Sequence, residues 1–429
     1  MTALTARARG QLAWGGVDQG VSSATNFGLS VLAGRLLGTE GLGVVFLGFS
    51  IYLLALSFVR GLIMEPFVVA TAALPQKEQQ DATRACTILV AAAGATTSVL
   101  MAIGGLVLAD PIGRSLVIFA PWVGIAILQD HWRSVLFRDR RARAAAFNDG
   151  MWALGMVAMI PVALTFQQDW VIAATWGVGA GIGALVGGWQ IKLRPSGPLH
   201  AFAWWRRELR YLGSWLAVQN VVFSAASQLT IVLIAGQLGA DDLGGIRAVD
   251  VVFAPMTMVG DAFSFPGVPI VVRALAKSAR DARRWAWRLS GGAAFLVGGS
   301  LVLAIPFSRQ ILTHLFGPEF AVFTAIVIPI ALGQLARAAA TGFSILLKAD
   351  RRVHAITVSR GVTNGLKLVL GTTLAAHFGL VPAVWGMEVG VTIGAIVTVV
   401  LGLMARDVPL PRRAPRSTQR PASIPISVD

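Results

Sequence analysis

The chain has 429 residues, of which 55% are hydrophobic and only 13% charged, with a mean hydropathy of +0.69. A soluble domain carries about a quarter charged residues, and the repeated runs of about 20 apolar residues seen here belong in a bilayer. A net charge of +15 would suit nucleic acid in a soluble protein, but the basic residues gather between the apolar runs, which argues against that partner.

Only helix bundles and closed barrels span hydrocarbon, because stray backbone groups find no water there. The runs are too long and continuous for barrel strands of about ten alternating residues. The expected fold is an all-α integral membrane bundle of about twelve transmembrane helices. The predicted spans are 14–36, 44–71, 84–108, 115–137, 147–166, 170–190, 212–236, 245–271, 287–306, 321–347, 354–376 and 382–404. Arg7 and Arg9 precede span one without a clear small-residue cleavage site, so that span is expected to remain as its own insertion signal.

The turn after span one reads Leu37-Gly38-Thr39-Glu40-Gly41-Leu42-Gly43, and the turn after span seven reads Leu238-Gly239-Ala240-Asp241-Asp242-Leu243-Gly244. Both follow Leu-Gly-x-acid-x-Leu-Gly, which suits a brief water-facing connection between two spanning helices. Leu106-Val107-Leu108-Ala109 recurs as Leu301-Val302-Leu303-Ala304, and Asp139-Arg140-Arg141 recurs as Asp350-Arg351-Arg352, with Gly150 and Gly361 following at equal distance. The three shifts are 201, 195 and 211 residues in the same order, so the chain contains two homologous halves. A half with six spans returns to its starting side, which makes the halves two parallel six-helix lobes about an axis normal to the membrane. The expected division is 1–200, 201–404 and a tail of 405–429.

The N-terminus, the even-numbered connections and the tail carry nearly all the lysines and arginines, whereas the other side has Arg114 and Arg309. That asymmetry predicts cytoplasmic termini. In the central connection, Trp204-Trp205-Arg206-Arg207 suits a helix at the headgroup level, as does Arg283-Arg284-Trp285-Ala286-Trp287-Arg288. The tail, with Pro409, Pro411 and Pro415 among arginines, has no means of burying a core and is expected to be disordered.

Ionisable groups inside spans are costly and usually face a bundle interior or a wet cavity. They are Asp18, Arg35, Arg60, Glu65, Asp130, Arg133, Arg247, Asp250, Asp261, Arg337, Lys367 and Glu388. Arg35, Glu65, Arg133 and Arg247 sit near span ends and could snorkel; Arg60, Asp261, Arg337 and Lys367 are deeper. Gly333, Arg337 and Thr341 share a helix face, as do Asn364, Lys367 and Gly371. Spans one (Asp18, Ser22, Asn26) and seven (Asn220, Ser224, Gln228) are both unusually polar, which points to a shared wet pathway between the lobes. The shift of 201 maps Arg60 onto Asp261, and these opposite charges could face each other. The ordinary alternative for each residue is a structural ion pair or polar packing contact.

No enzyme constellation is present: His131, His200, His314, His354 and His377 are scattered, and there is no Walker loop. The single Cys86 excludes an internal disulfide, and no metal or cofactor is expected. The glycines from Gly177 to Gly188 suit close helix packing.

The opening, from Asp18-Gln19-Gly20 through Asn26 and Leu32-Ala33-Gly34-Arg35-Leu36-Leu37-Gly38 to Glu40-Gly41-Leu42-Gly43, resembles the start of bacterial Wzx-type polysaccharide flippases. Their wider superfamily includes the MATE drug exporters and the lipid II flippase MurJ. The resemblance implies a V-shaped pair of lobes around a lumen in the bacterial inner membrane. The implied cargo is an undecaprenyl-diphosphate-linked oligosaccharide moved to the outer leaflet, with a glycan polymerase and glycosyltransferases as further partners. A diphosphate needs a cationic path, and arginine forks and lysine point charges suit it. Arg60, Arg337 and Lys367, with Arg35 at the outer mouth and Asn26 and Asn364 beside them, are therefore the expected substrate contacts, and Asp18 and Asp261 the expected coupling or gating groups. Two features depart from lipid II flippases: the extra C-terminal spans are missing, and Asp18 has no basic partner beside it in span one. A MATE-like cation-coupled exporter is the main alternative. A major-facilitator transporter lacks its signature in the loop from Leu74 to Asp81, and a membrane glycosyltransferase or ligase would need larger outer loops.

Overall fold

The computed structural model describes residues 2–71, 74–192, 198–220, 225–350 and 352–404, without the side chains of 2–12, 198–200, 212, 215, 218–220, 258–262, 264–266, 269 and 353. The tail from 405, the loop segment 193–197 and Ser224 lie outside the described residues. Among those described there is no strand, as the length of the apolar runs predicts.

Spans one and two come from α1 (Thr2–Val59), which folds back at Gly38, a π-helical turn (Arg60–Met64) and α2 (Glu65–Thr71). Spans three to six are α3 (Gln76–Val107), α4 (Ile112–Arg138), α5 (Ala142–Phe166) and α6 (Asp169–Ile191). The central connection carries α7 (Pro198–Glu208). Span seven is α8 (Arg210–Asn220) with α9 (Ala226–Leu238), span eight α10 (Ala240–Leu275), and span nine α11 (Ala279–Ala304). A short α12 (Ser308–Leu315) and a 3-10 segment (Pro318–Ile326) lead into span ten, α13 (Val327–Ala349). Spans eleven and twelve are α14 (Val353–Phe378) and α15 (Leu380–Leu403). The described residues thus form twelve helical segments in two six-helix lobes, and eight of the described helices are long and apolar enough to cross a membrane.

The repeated turn has a specific backbone cause. Gly38 (φ 69°, ψ −163°) and Gly239 (φ 91°, ψ 179°) take up nearly the same conformation, in a region that side-chain-bearing residues avoid. Each reverses the chain in one residue, which is why no loop separates the spans. Glu40 and Asp241 then fall in the first turn of the next helix, where its positive end favours an acid.

The two turns also pack on each other. A Cβ on Gly43 would lie 1.8 Å from the Ala240 carbonyl oxygen, and one on Gly244 would lie 1.9 Å from that of Thr39. The shift of 201 relates Gly43 to Gly244 and Thr39 to Ala240, so the two halves exchange equivalent contacts about a pseudo-two-fold axis. Thr39 Oγ1 adds a hydrogen bond to Asp241 Oδ1 at 2.5 Å. At the opposite, basic end the lobes meet differently. There Gly61 lies against Ala217, Gly213 lies against the Leu62 carbonyl, and the Trp205 indole donates to that carbonyl at 3.0 Å.

Within the first lobe, span six is a glycine face filled by tryptophans. Trp122 lies on Gly177, Trp152 on Gly179 and Trp132 on Gly187. In the second lobe, Gly386, Gly390 and Gly394, four residues apart, lie on the backbone or side chains of span eleven at Leu370, Lys367 and Thr363.

A Cβ at Gly177 or Gly187 would overlap an indole ring at 2.1 and 2.7 Å, whereas Gly181 has nothing within 4 Å. Overpacking of this kind costs about 1–3 kcal/mol, while alanine improves an unopposed helix position by up to about 1 kcal/mol. Gly177→Ala and Gly187→Ala should therefore lower the melting temperature in detergent, and Gly181→Ala should hold or raise it. Equal melting temperatures for all three would show that the ring contacts do not hold the lobe together.

Candidate functional site

The intramembrane charges form one cluster in each lobe. In the first lobe, span two bends into its π-helical turn at Arg60, which points the guanidinium at span four. Arg60 clasps Asp130 with both prongs, Nε to Oδ2 at 2.7 Å and Nη2 to Oδ1 at 2.5 Å. One turn further along span four, Arg133 reaches Asp18 of span one through Nε at 3.0 Å and also through Nη2. Its Nε lies 3.5 Å from Asp149 Oδ2 on span five. Gln129 donates to Asn148 at 2.8 Å and to Asp149 at 3.0 Å, and Asn148 donates to the Gly183 carbonyl at 2.6 Å. A cavity of about 130 Å³ opens beside this network, lined by Ser22, Asn26, Arg60, Asp130, Arg133, Asp149 and Trp152 among others. A second, of about 240 Å³, is bounded by Arg60, Glu65, Asp130 and Arg133.

The second lobe has the larger polar cavity, about 360 Å³, walled by Gln334, Arg337, Thr341, Ser344, Lys348, Ser359, Arg360, Thr363 and Thr398. Arg337, with 43% of its side chain exposed, touches Glu388 of span twelve at 3.4 Å. Lys367 lies in electrostatic reach of Glu388, Arg337 and Asp250. Asn364 belongs to the same span-eleven face and is itself partnered. Ser359 donates to the Gly394 carbonyl at 3.2 Å, as Asn148 does to that of Gly183. Both residue pairs are related by 211 residues, so the lobes repeat this helix crossing as well as their turns.

Several expectations change. Asp18 does have a basic partner, Arg133, supplied by span four. Arg133 does not snorkel but sits between two aspartates, and Arg247 bonds Ser30 of the other lobe at 2.9 Å while lying over the Phe46 ring. Asp130 of its own lobe takes the Arg60 guanidinium, while the side chain of Asp261, which the shift of 201 set opposite Arg60, lies outside the described residues. Arg35 spends its donors on the backbone, at Leu315 (2.9 Å) and His314, so it ties span one to the outer connection. Nor is the interior uniformly cationic. The first-lobe cluster has three aspartates for two arginines, whereas the second sets Arg337, Arg360 and Lys367 near Glu388 and Asp250.

Asp149, Asn148 and Arg360 escaped the sequence reading because they sit near the starts of their spans, and Gln129 because it is uncharged. The signal was available: the 211-residue shift that pairs Gly150 with Gly361 also places Asp149 opposite Arg360.

No protein-family model matches the sequence, and no curated protein matches it. Solved structures do match in shape. The lipid II flippase MurJ in an inward closed conformation superposes with a TM-score of 0.71 at 13% identity, over 90% of this chain and 87% of that one. An inward-facing multidrug resistance MATE transporter of the MOP superfamily gives 0.66 at 12% identity, over 89% and 93%. A MOP superfamily transporter from Pyrococcus furiosus, described as having a binding pocket of reversed polarity, gives 0.54 at 13% identity, over 93% and 95%. At these identities the likeness is one of fold: the chain has the twelve-helix, two-lobe architecture of these transporters.

Proposed function

We propose that the protein is a flippase for an undecaprenyl-diphosphate-linked oligosaccharide, which it carries from the cytoplasmic to the outer leaflet by alternating access. The carrying observation is the 360 Å³ polar cavity in the second lobe, with Arg337 and Arg360 in its wall. A diphosphate and its sugars need hydration and positive charge to cross hydrocarbon, and this cavity offers both, while the isoprenoid tail stays in lipid. Arg337 holds the diphosphate from the cavity wall, Lys367 adds positive charge within electrostatic reach of it, and the hydroxyls and the Gln334 amide of the wall take the sugar. The termini and the basic connections face the cytoplasm, and the glycine turns form the outer closure. The first-lobe cluster supplies gating: Asp18 fixes Arg133, which in turn fixes the packing of spans one, four and five.

The surplus aspartate of the first lobe favours a second reading, a MATE-like cation-coupled exporter in which Asp149 meets the cation. The two separate by assay. Deletion of the gene followed by leaflet assignment of lipid-linked glycans should show completed units facing the cytoplasm; accumulation on the outer side would point to a polymerase or ligase step, and no glycan change would favour the exporter.

Charged hydrogen bonds contribute about 1.5–3 kcal/mol each, so Arg337→Ala or Lys367→Ala should cut glycan export roughly ten- to a hundredfold at unchanged protein level. Normal export by both variants would remove them from the site. In a Cys86→Ser background, Thr39→Cys with Asp241→Cys should accept a short cleavable thiol cross-linker. Export should stop on cross-linking and return on cleavage; undiminished export with the link in place would show that the turns need not part.

A further inference from the structure

On the face of span ten turned away from the polar cavity, a groove of about 440 Å³ runs between spans ten and twelve. Its walls are apolar and face lipid, with Leu332 48% and Val389 42% exposed. One ionisable residue lines it, Glu388. A carboxylate at this depth is costly unless it is paired, and Glu388 is turned inward, 7% exposed. Its position has a clear cause: a Cβ on Gly333 would lie 1.6 Å from Glu388 Oε2, so the missing side chain leaves a window through which the carboxylate passes between the helices. On the far side it meets Arg337, in the wall of the polar cavity. The apolar groove and the cationic cavity thus lie on opposite faces of span ten, and the Arg337–Glu388 ion pair, 3.4 Å long, runs between them.

We infer that the groove between spans ten and twelve seats the isoprenoid chain of the transported lipid while its phosphates are held at Arg337, with Glu388 closing the window between them. This rests on the lipid-linked reading of the function and adds where the tail goes. The chemistry is complementary on both sides: a hydrocarbon chain fits an apolar, membrane-facing trough, and an anion in the polar cavity can compete with Glu388 for the half-exposed guanidinium beside the window. A molecule having both parts joined end to end satisfies both sites at once, whereas a soluble cargo would leave the groove unused.

The test uses the full-length protein in vesicles of phosphatidylethanolamine and phosphatidylglycerol, with a polyprenyl diphosphate carrying a diazirine in its chain. Photolabel should fall on the peptides holding Leu332 and Val389 and be displaced by unlabelled polyprenyl diphosphate. Ala336→Phe and Ala339→Phe, which fill the groove from its lipid side, should reduce that labelling about tenfold or more, the amount that displacing two methylenes already produces. They should leave binding of a short-chain sugar diphosphate at Arg337 intact. Displacement by added phosphatidylglycerol as readily as by polyprenyl diphosphate would make the groove an ordinary lipid site and overturn the inference. Label elsewhere, with glycan export unchanged in both phenylalanine variants, would overturn it while leaving the flippase reading standing. Absence of any polyprenyl diphosphate binding would overturn both.

Discussion

The fold depends on two backbone carbonyls, those of Thr39 and Ala240, lying where side chains at Gly244 and Gly43 would have to be. Backbone against backbone is the closest approach that two helices can make, and only glycine permits it. The same short motif also reverses the chain at Gly38 and Gly239, so one run of residues sets both the connection between spans and the contact between lobes. Everything further in is placed by these two roles. Span one is held against span eight, Arg247 of one lobe finds Ser30 of the other, and the polar faces of spans one and two are turned toward the interior.

Inside that frame, the charges obey a second constraint: a membrane-embedded ion must be matched by another ion or by hydrogen-bond partners. The two lobes meet it unequally. The first spends its arginines inside its own network, where Asp130 and Asp18 occupy them with two contacts each, and it has a carboxylate to spare. The second leaves Arg337 loosely held beside a cavity with room for a ligand. A duplicated scaffold has thereby become one rigid, acid-rich lobe and one open, base-rich lobe. This division of labour makes the second lobe the better place to look for an anionic cargo.

Much of the architecture was legible from the sequence, because span length, charge asymmetry and the duplicated turn are local properties of the chain. The partners of the charges were not. Arg60 and Asp130 are 70 residues apart and Asp18 and Arg133 are 115 apart, so no spacing rule links them, and only the packing of spans one, two, four and five brings them together. Span one alone offers Asp18 no basic partner for that reason, and the one it has, Arg133, comes from span four. Asp149 was missed on different grounds: it lies so near the start of span five that it passes for an ordinary interfacial acid.

The π-helical turn from Arg60 to Met64 has a consequence for how span two can move. It holds one residue more than an α-helical turn, so it offsets the two stretches of the helix by about 100° of rotation. Tightening it to the α form would spin Glu65, Pro66 and Phe67 relative to Tyr52 and lengthen the span by about one residue's rise, about 1.5 Å. The Leu62 carbonyl accepts from the Trp205 indole, and the residue four further on, Pro66, has no N–H to offer it in the α form. The linker between the lobes therefore meets span two at its joint, through the one carbonyl there that proline deprives of an α-helical donor.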